Sequence, residues 1–541
     1  MWFRNNSLLS VLLLLLASWI AGSPSSAPRV DPTPIAILVQ AQDVAQARLA
    51  VAAVGGTTTH ELGIIHSVAA VVTERQRVAL QEMPGNLRIF VNSPVKSAGH
   101  GESCPSTNFP SLIRADEVHD EGLTGSGVTI AFIDTGISAH KSLTRNTRNR
   151  TRLLAQYNAI DDREVYYTSD DDNGHGTHIV GASLSSAVGL DSGEFNGIAP
   201  NADLVSVKAF DSDGRGTYAD VIRALDWVVS NKEAYGIRIV NLSFSATPRS
   251  AYWDDPMNLA VMKAWQSGIV VVAAAGNGGP DPVTIGAPGN VPYVISVGAM
   301  TDSYTPEDLS DDKLTTFSAA GPTAEGFVKP DLVAPGGHIL AYMPDHAQLA
   351  SEHPEFWASG SFFEMSGTSQ AAAVTSGIAA LMLEAEPSLS PNDVKCRLMS
   401  SARPALKEDG TLGYSIFQQG AGVADAFDAV QSEQYGCANT GLDIEEELLG
   451  EQHFVGLARE AEDGSFYLEG VDAFAWNGAF AWNGAFAWNG AFAWNGAFAW
   501  NGAFAWNGAF AWNGAFAWNG SEAWSEALSE SSRVGHWVDP E

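Results

Sequence analysis

Between about residue 110 and Ala429 the sequence alternates short, uniformly apolar runs with stretches of helical periodicity, and few architectures can bury such runs. The runs are Val128–Ile133, Leu204–Val207, Ile237–Leu242, Ile269–Ala275 and Val294–Ala299. A strand with no polar face must be covered on both sides, which points to a parallel sheet between two helical layers. Between two of the runs, Tyr218, Val221, Ile222, Leu225, Val228 and Val229 recur at helical spacing and give one covering helix its apolar face. The predicted fold class is α/β, a doubly wound, mostly parallel sheet with flanking helices, over residues 105–432. Open sheets of this kind take ligands at the carboxyl ends of their strands, so the polar residues just after the runs are the candidates for chemistry.

The rest of the 541 residues divides around that block. Arg4, the apolar run Leu8–Trp19 and the small residues Ala21, Gly22 and Ser23 have the form of a signal peptide over residues 1–23. The run is too short to span a membrane, and no later segment is predicted to do so; the mature protein is expected outside the cytoplasm. After a Pro/Ser-rich joint, residues 34–96 read as a small α+β domain. Strand-like runs lie at Ile35–Val39, Ile64–Val72 and Leu87–Val91, with a helical pattern at Val44–Val54. Beyond residue 437 the chain turns acidic: an acidic linker at 438–472, eight copies of Ala-Phe-Ala-Trp-Asn-Gly at 473–520, and an acidic tail at 521–541. A net charge of −33 disfavours nucleic acid and anionic membranes as partners. Cys104, Cys396 and Cys437 allow one internal disulfide whose pairing is undecided, and a buried free thiol at Cys396 is an equal alternative.

Four polar sites stand where such a sheet presents its chemistry. Asp134 directly follows the first run in Ile-Asp-Thr-Gly, where a carboxylate could orient a histidine or merely cap a turn. His175 and His178 open an apolar helix in Asn-Gly-His-Gly-Thr-His. A metal pair would need a third ligand of comparable placement, so His178 reads as a structural partner. Ser369 follows Gly-Thr at the start of a long helix from Gln370 to about Glu386. Ordinarily such a Ser is an N-cap, but the small neighbours leave room for a peptide backbone and the helix dipole favours developing negative charge. Asn277 follows the strand Ala273–Ala275 and Gly276, where its amide could donate to an oxyanion or simply occupy a turn.

Together, Asp-Thr-Gly, His-Gly-Thr-His and Gly-Thr-Ser in the order Asp, His, Ser resemble the subtilisin-like serine proteases, over roughly Phe109 to Ala429. The resemblance implies a serine endopeptidase in which Ser369 attacks the scissile carbonyl, His175 carries its proton and Asp134 fixes the histidine. Asn277 and the Ser369 N–H would form the oxyanion hole. Ser243, Phe244 and Ser245 resemble the family strand that pairs with substrate, with Ala274, Ala275 and Gly276 as the opposite wall. The family usually carries glycines after that Ser, so here the side chains of Phe244, Ser245 and Ala246 are expected to narrow the pocket. Gln370 replaces the usual Met, and Ala373-Val374 the usual Pro-His.

By the same resemblance residues 34–96 are an inhibitor-type propeptide that occupies the active site until the enzyme removes it. No cofactor is required for the chemistry. A structural calcium in the loop Gly189–Gly197, with Asp191 and Glu194, is left unassigned because the family pattern is missing. In the repeat, Asn-Gly is a strong hairpin signal, so eight copies could form a meander whose aromatic stripes stack on sugars, contact a cell surface or self-associate; a neutral tandem duplication without fixed structure is an equal alternative. The alternative function is a surface adhesin or assembly protein working through that repeat, with the protease domain serving only maturation.

Overall fold

The computed structural model describes residues 34–91 and 107–469, apart from 82, 84–86, 167–169, 191, 306–308, 310, 359 and 408–410. It also describes the short strands 481–483, 486–487, 499–501, 504–505 and 531–534. The expected signal segment, Cys104 and most of the repeat and tail lie outside these residues.

Two compact units emerge, one within residues 1–100 and one from residue 101 onward. The first is a four-stranded antiparallel sheet in which Ile35–Gln40 lies between Ser67–Val72 and Arg88–Val91, with Thr57–Leu62 on the outer side of Ser67–Val72. Helices Val44–Ala53 and Glu74–Gln81 complete a βαββαβ order, and Ile37, Val39, Ala47, Val51, Val68, Val72 and Leu80 form its core. The small α+β expectation therefore stands. Thr57–Leu62 escaped it because the run is polar and mostly exposed, with no alternation to betray a strand.

The second unit is built on a nine-stranded sheet. Seven parallel strands run in the order 332–335, 295–301, 270–274, 237–242, 129–134, 203–208 and 153–158. Two short antiparallel strands join it: Lys313–Leu314 pairs with the far end of 295–301, and Arg163–Glu164 pairs with 153–158 at the sheet's other edge. All five predicted runs are strands of this sheet. The central ones are buried along their whole length, as uniform apolarity demanded. The helix Tyr218–Tyr235 opens with a Thr217/Asp220 capping box and buries Tyr218, Val221, Leu225 and Val228. The chain steps from 203–208 on one side of the strand 129–134 to 237–242 on the other. The strand order thus reverses beside Asp134, which opens a crevice at the carboxyl ends.

Two expectations are corrected. The stretch 438–472 is not a free linker up to residue 469: a helix at Ile444–Leu449 and a hairpin of Ala458–Glu460 with Phe466–Leu468 fold onto the unit, burying Phe454, Ala458 and Leu468 in its main core. Sparse apolar residues among many acids hid this docking from composition. In the repeat, Ala481–Asn483 pairs with Ala499–Asn501 and Phe486–Ala487 with Phe504–Ala505, both parallel and in register. This is not the antiparallel pairing of neighbouring copies expected of a meander. Identical copies make every whole-repeat offset equivalent, and in-register parallel pairing sets like residue opposite like. Cys396 and Cys437 form a disulfide, which settles the open pairing between those two.

Candidate active site

Asp134 ends its strand almost fully buried, and its Oδ1 lies 2.8 Å from His175 Nδ1. His175 is the first residue of the helix His175–Leu184, preceded by Gly174 at φ +101°, a left-handed turn that favours glycine. The following Gly176 is equally constrained, because a Cβ there would run into the Gly136 carbonyl and lie 3.1 Å from Asp134 Oδ1. The two sites predicted from separate motifs are thus brought into direct contact.

Asp171, which the motifs did not flag, holds this corner together. Its carboxylate accepts from the Thr135 hydroxyl (2.8 Å), Gly174 N (2.8 Å), Thr177 N (2.8 Å) and the Thr177 hydroxyl (2.5 Å). The only signal was an acidic residue just ahead of a helix start. His178 is buried, and burial pushes its pKa down to about 3, so it is neutral. Its Nε2 lies 3.0 Å from the Phe363 carbonyl, tying the histidine helix to the strand Phe362–Met365. It is a structural partner, as expected. Among the described residues no group of three His, Cys, Asp or Glu is placed to hold a metal ion; Asp191 lies outside them, and Glu194 accepts through its backbone carbonyl from Gly189 N.

Ser369 is the second residue of the helix Thr368–Ala385 and is buried. Its hydroxyl donates to the Ser243 carbonyl at 3.0 Å, not to His175, while the Ser243 hydroxyl donates back to the Ser369 carbonyl at 2.8 Å. Asn241, a second residue the motifs did not mark, donates to Ser243 Oγ and accepts from Ser376 Oγ. Its one signal was an amide inside an otherwise apolar strand.

Asn277 is fixed by its oxygen, which accepts from Thr368 N (3.0 Å) and the Thr368 hydroxyl (2.8 Å). This leaves the amide nitrogen, a donor only, near Gly367, where a Cβ would stand 3.4 Å from Nδ2. Gln370, beside the nucleophile candidate, is buried with both ends of its amide unpaired.

The expected substrate strand is the short strand Phe244–Ser245. Phe244 does not narrow a pocket: it is fully buried against Phe210, ring centres 5.0 Å apart, because alternate residues of a strand face opposite sides. Ser245 instead packs against two glycines. Its Oγ abuts Gly286 and stands 2.9 Å from where a Cβ on Gly276 would be, so both positions exclude a side chain. Ala274 and Ala275 are buried in the wall behind Gly276.

The Subtilase family model matches residues 125–436, which contain the Asp134–His175 contact, Ser369 and Asn277. The chain belongs to the subtilase family. It is 34% identical to serine protease AprX of Bacillus subtilis over 68% of this chain and 80% of that protein. Subtilisin DY of Bacillus licheniformis is 33% identical over 54% of this chain and 89% of its own length, and subtilisin E of Bacillus subtilis 30% over 64% and 78%. This subtilase is accordingly a serine endopeptidase, a hydrolase of peptide bonds.

Proposed function

We propose that this subtilase is a secreted endopeptidase in which Ser369 is the nucleophile, His175 the general base and Asp134 the group that orients it. The observation that carries the reading is the 2.8 Å contact between His175 Nδ1 and buried Asp134, which leaves Nε2 as the basic nitrogen. Rotation of the Ser369 hydroxyl from the Ser243 carbonyl toward that nitrogen readies it for attack on the scissile carbonyl. His175 takes the proton and returns it to the leaving amine, and water then hydrolyses the acyl-enzyme. Asn277 Nδ2 and the Ser369 N–H receive the oxyanion; the amide is held before charge develops, so it needs no reorganisation during the step.

An extended peptide pairs with Ser243–Ser245 and lies against Ala274–Gly276, a mode that reads backbone shape more than sequence. Secretion is supported by the signal-like N-terminus and by the Cys396–Cys437 disulfide, which suits an oxidising compartment. Residues 34–96 serve as an inhibitory propeptide removed by the enzyme itself. The chemistry calls on no cofactor, and a structural calcium stays unassigned.

The test is to express the full chain with and without Ser369→Ala, following N-terminal processing and digestion of a denatured protein. Wild type should process and digest while the variant does neither; equal behaviour of the two would reject the assignment.

A further inference from the structure

Phe244–Ser245 and Arg215–Thr217 do not pair with one another; the strand Ser531–Val534 lies between them, antiparallel to both. Val534 stands opposite Phe244, Arg533 opposite both Ser245 and Arg215, Ser532 opposite Gly216, and Ser531 opposite Thr217. We propose that the C-terminal segment around Ser531–Val534 binds in the peptide cleft as a tethered competitor of substrate.

Three observations support this. Two open strand edges are satisfied at once by an incoming backbone, which is how extended peptides are recognised. The direction is that of a substrate: moving along the tail from Arg533 to Val534 moves from Ser245 to Phe244, toward Ser243, whose carbonyl holds the Ser369 hydroxyl. The sequence Ser-Ser-Arg-Val contains neither Pro nor Gly and carries the sole Lys or Arg after Arg459, so it stands apart from the acidic tail around it. Because the segment is covalently attached, it competes at an effective concentration of up to roughly millimolar without any need for high intrinsic affinity. The proposal rests on the reading of Ser243–Ser245 as the substrate strand.

The test compares the full chain with its Arg533→Pro/Val534→Pro variant on a short chromogenic peptide, recording intact mass on the same samples. Two consecutive prolines remove the backbone donors and break the pairing whatever the side chains do. The variant should show a KM lower by about threefold or more with kcat unchanged, as release of a competitor of that effective concentration requires. If the wild-type tail is instead shortened by the enzyme, loss should be first order, independent of enzyme concentration and absent from the variant, since the tail reached the cleft within its own molecule. An intact tail with equal KM in both chains, or shortening that accelerates with enzyme concentration, overturns the proposal. Absence of peptidase activity from both chains would reject the active-site reading as well, whereas activity in both with unchanged KM rejects this inference alone.

Discussion

Ser243 and Ser369 are joined by two reciprocal hydrogen bonds, each hydroxyl donating to the other residue's backbone carbonyl. The Ser243 carbonyl is thereby locked to the start of the helix Thr368–Ala385. Ser243→Ala removes one of the pair and takes from the Asn241 amide nitrogen its acceptor, while the Ser376 bond to the Asn241 oxygen stays. A loss of about 1 kcal/mol should lower kcat/KM roughly fivefold, with little change in the melting temperature. Steady-state kinetics on a peptide substrate, paired with thermal melts, checks this; an unaltered kcat/KM would show that the lock does not position Ser369.

Asn277→Ala should reduce kcat by about a hundred- to a thousandfold with KM nearly constant, the magnitude known for removing the corresponding donor in subtilisin. Thr368→Val tests the support: the hydroxyl bond to Asn277 Oδ1 is lost while the backbone bond stays, so a smaller fall in kcat is expected. If the loss appeared in KM, Asn277 would be a substrate-binding group and not an oxyanion donor.

Ser245→Gly should open the space beside Gly276 and Gly286. The ratio of kcat/KM for a Phe over an Ala residue before the scissile bond should rise about tenfold, within the roughly 1–3 kcal/mol that shape alone supplies in such pockets. Measurement on a matched pair of peptide substrates decides it, and an unchanged ratio would place that pocket elsewhere.

Asp331 is completely buried between Lys329 Nζ (2.7 Å) and Lys395 Nζ (3.4 Å). Asp331→Ala leaves two buried amines without their counter-charge and should cost about 3–5 kcal/mol of stability. Chemical denaturation in a Ser369→Ala background, which prevents self-digestion, reads this directly.

Glu447, on the acidic helix that docks against the unit, is buried with Tyr252, Tyr293 and His453 around its carboxyl group and Glu325 nearby. Burial pushes its pKa from 4.5 up to about 8, against hydrogen bonds from the two tyrosines that act in the opposite sense. The folded state therefore keeps this proton to higher pH than the unfolded chain does. Its contribution is fully present below the unfolded value and is lost as pH rises through about 8. Melting temperatures of the Ser369→Ala chain should fall across that window, and Glu447→Gln should flatten the fall; an identical slope in both chains would assign the pH dependence to other groups.

How much could be read beforehand differs from residue to residue. Asp134, His175, Ser369 and Asn277 each sit at a strand end or helix start that local sequence marks, and the apolar runs between them identify the parallel sheet because a strand covered on both faces needs no polar side. Asp171 and Asn241 were not legible: a carboxylate near a helix start and an amide inside an apolar strand acquire meaning only when distant segments supply their partners.

The class of the sheet, the order of its chemical motifs and the presence of a repeat are written in the chain itself, since they depend on local periodicity and residue identity. Four features come only from long-range contacts: Asp134 touches His175, Phe244 turns into the core while Ser245 packs beside Gly276 and Gly286, Glu447 is buried within an acidic stretch, and a strand of the C-terminal tail pairs with Phe244–Ser245. Each of these is set by which surfaces meet across long separations in the chain, and pairing of that kind leaves no periodic trace in either partner.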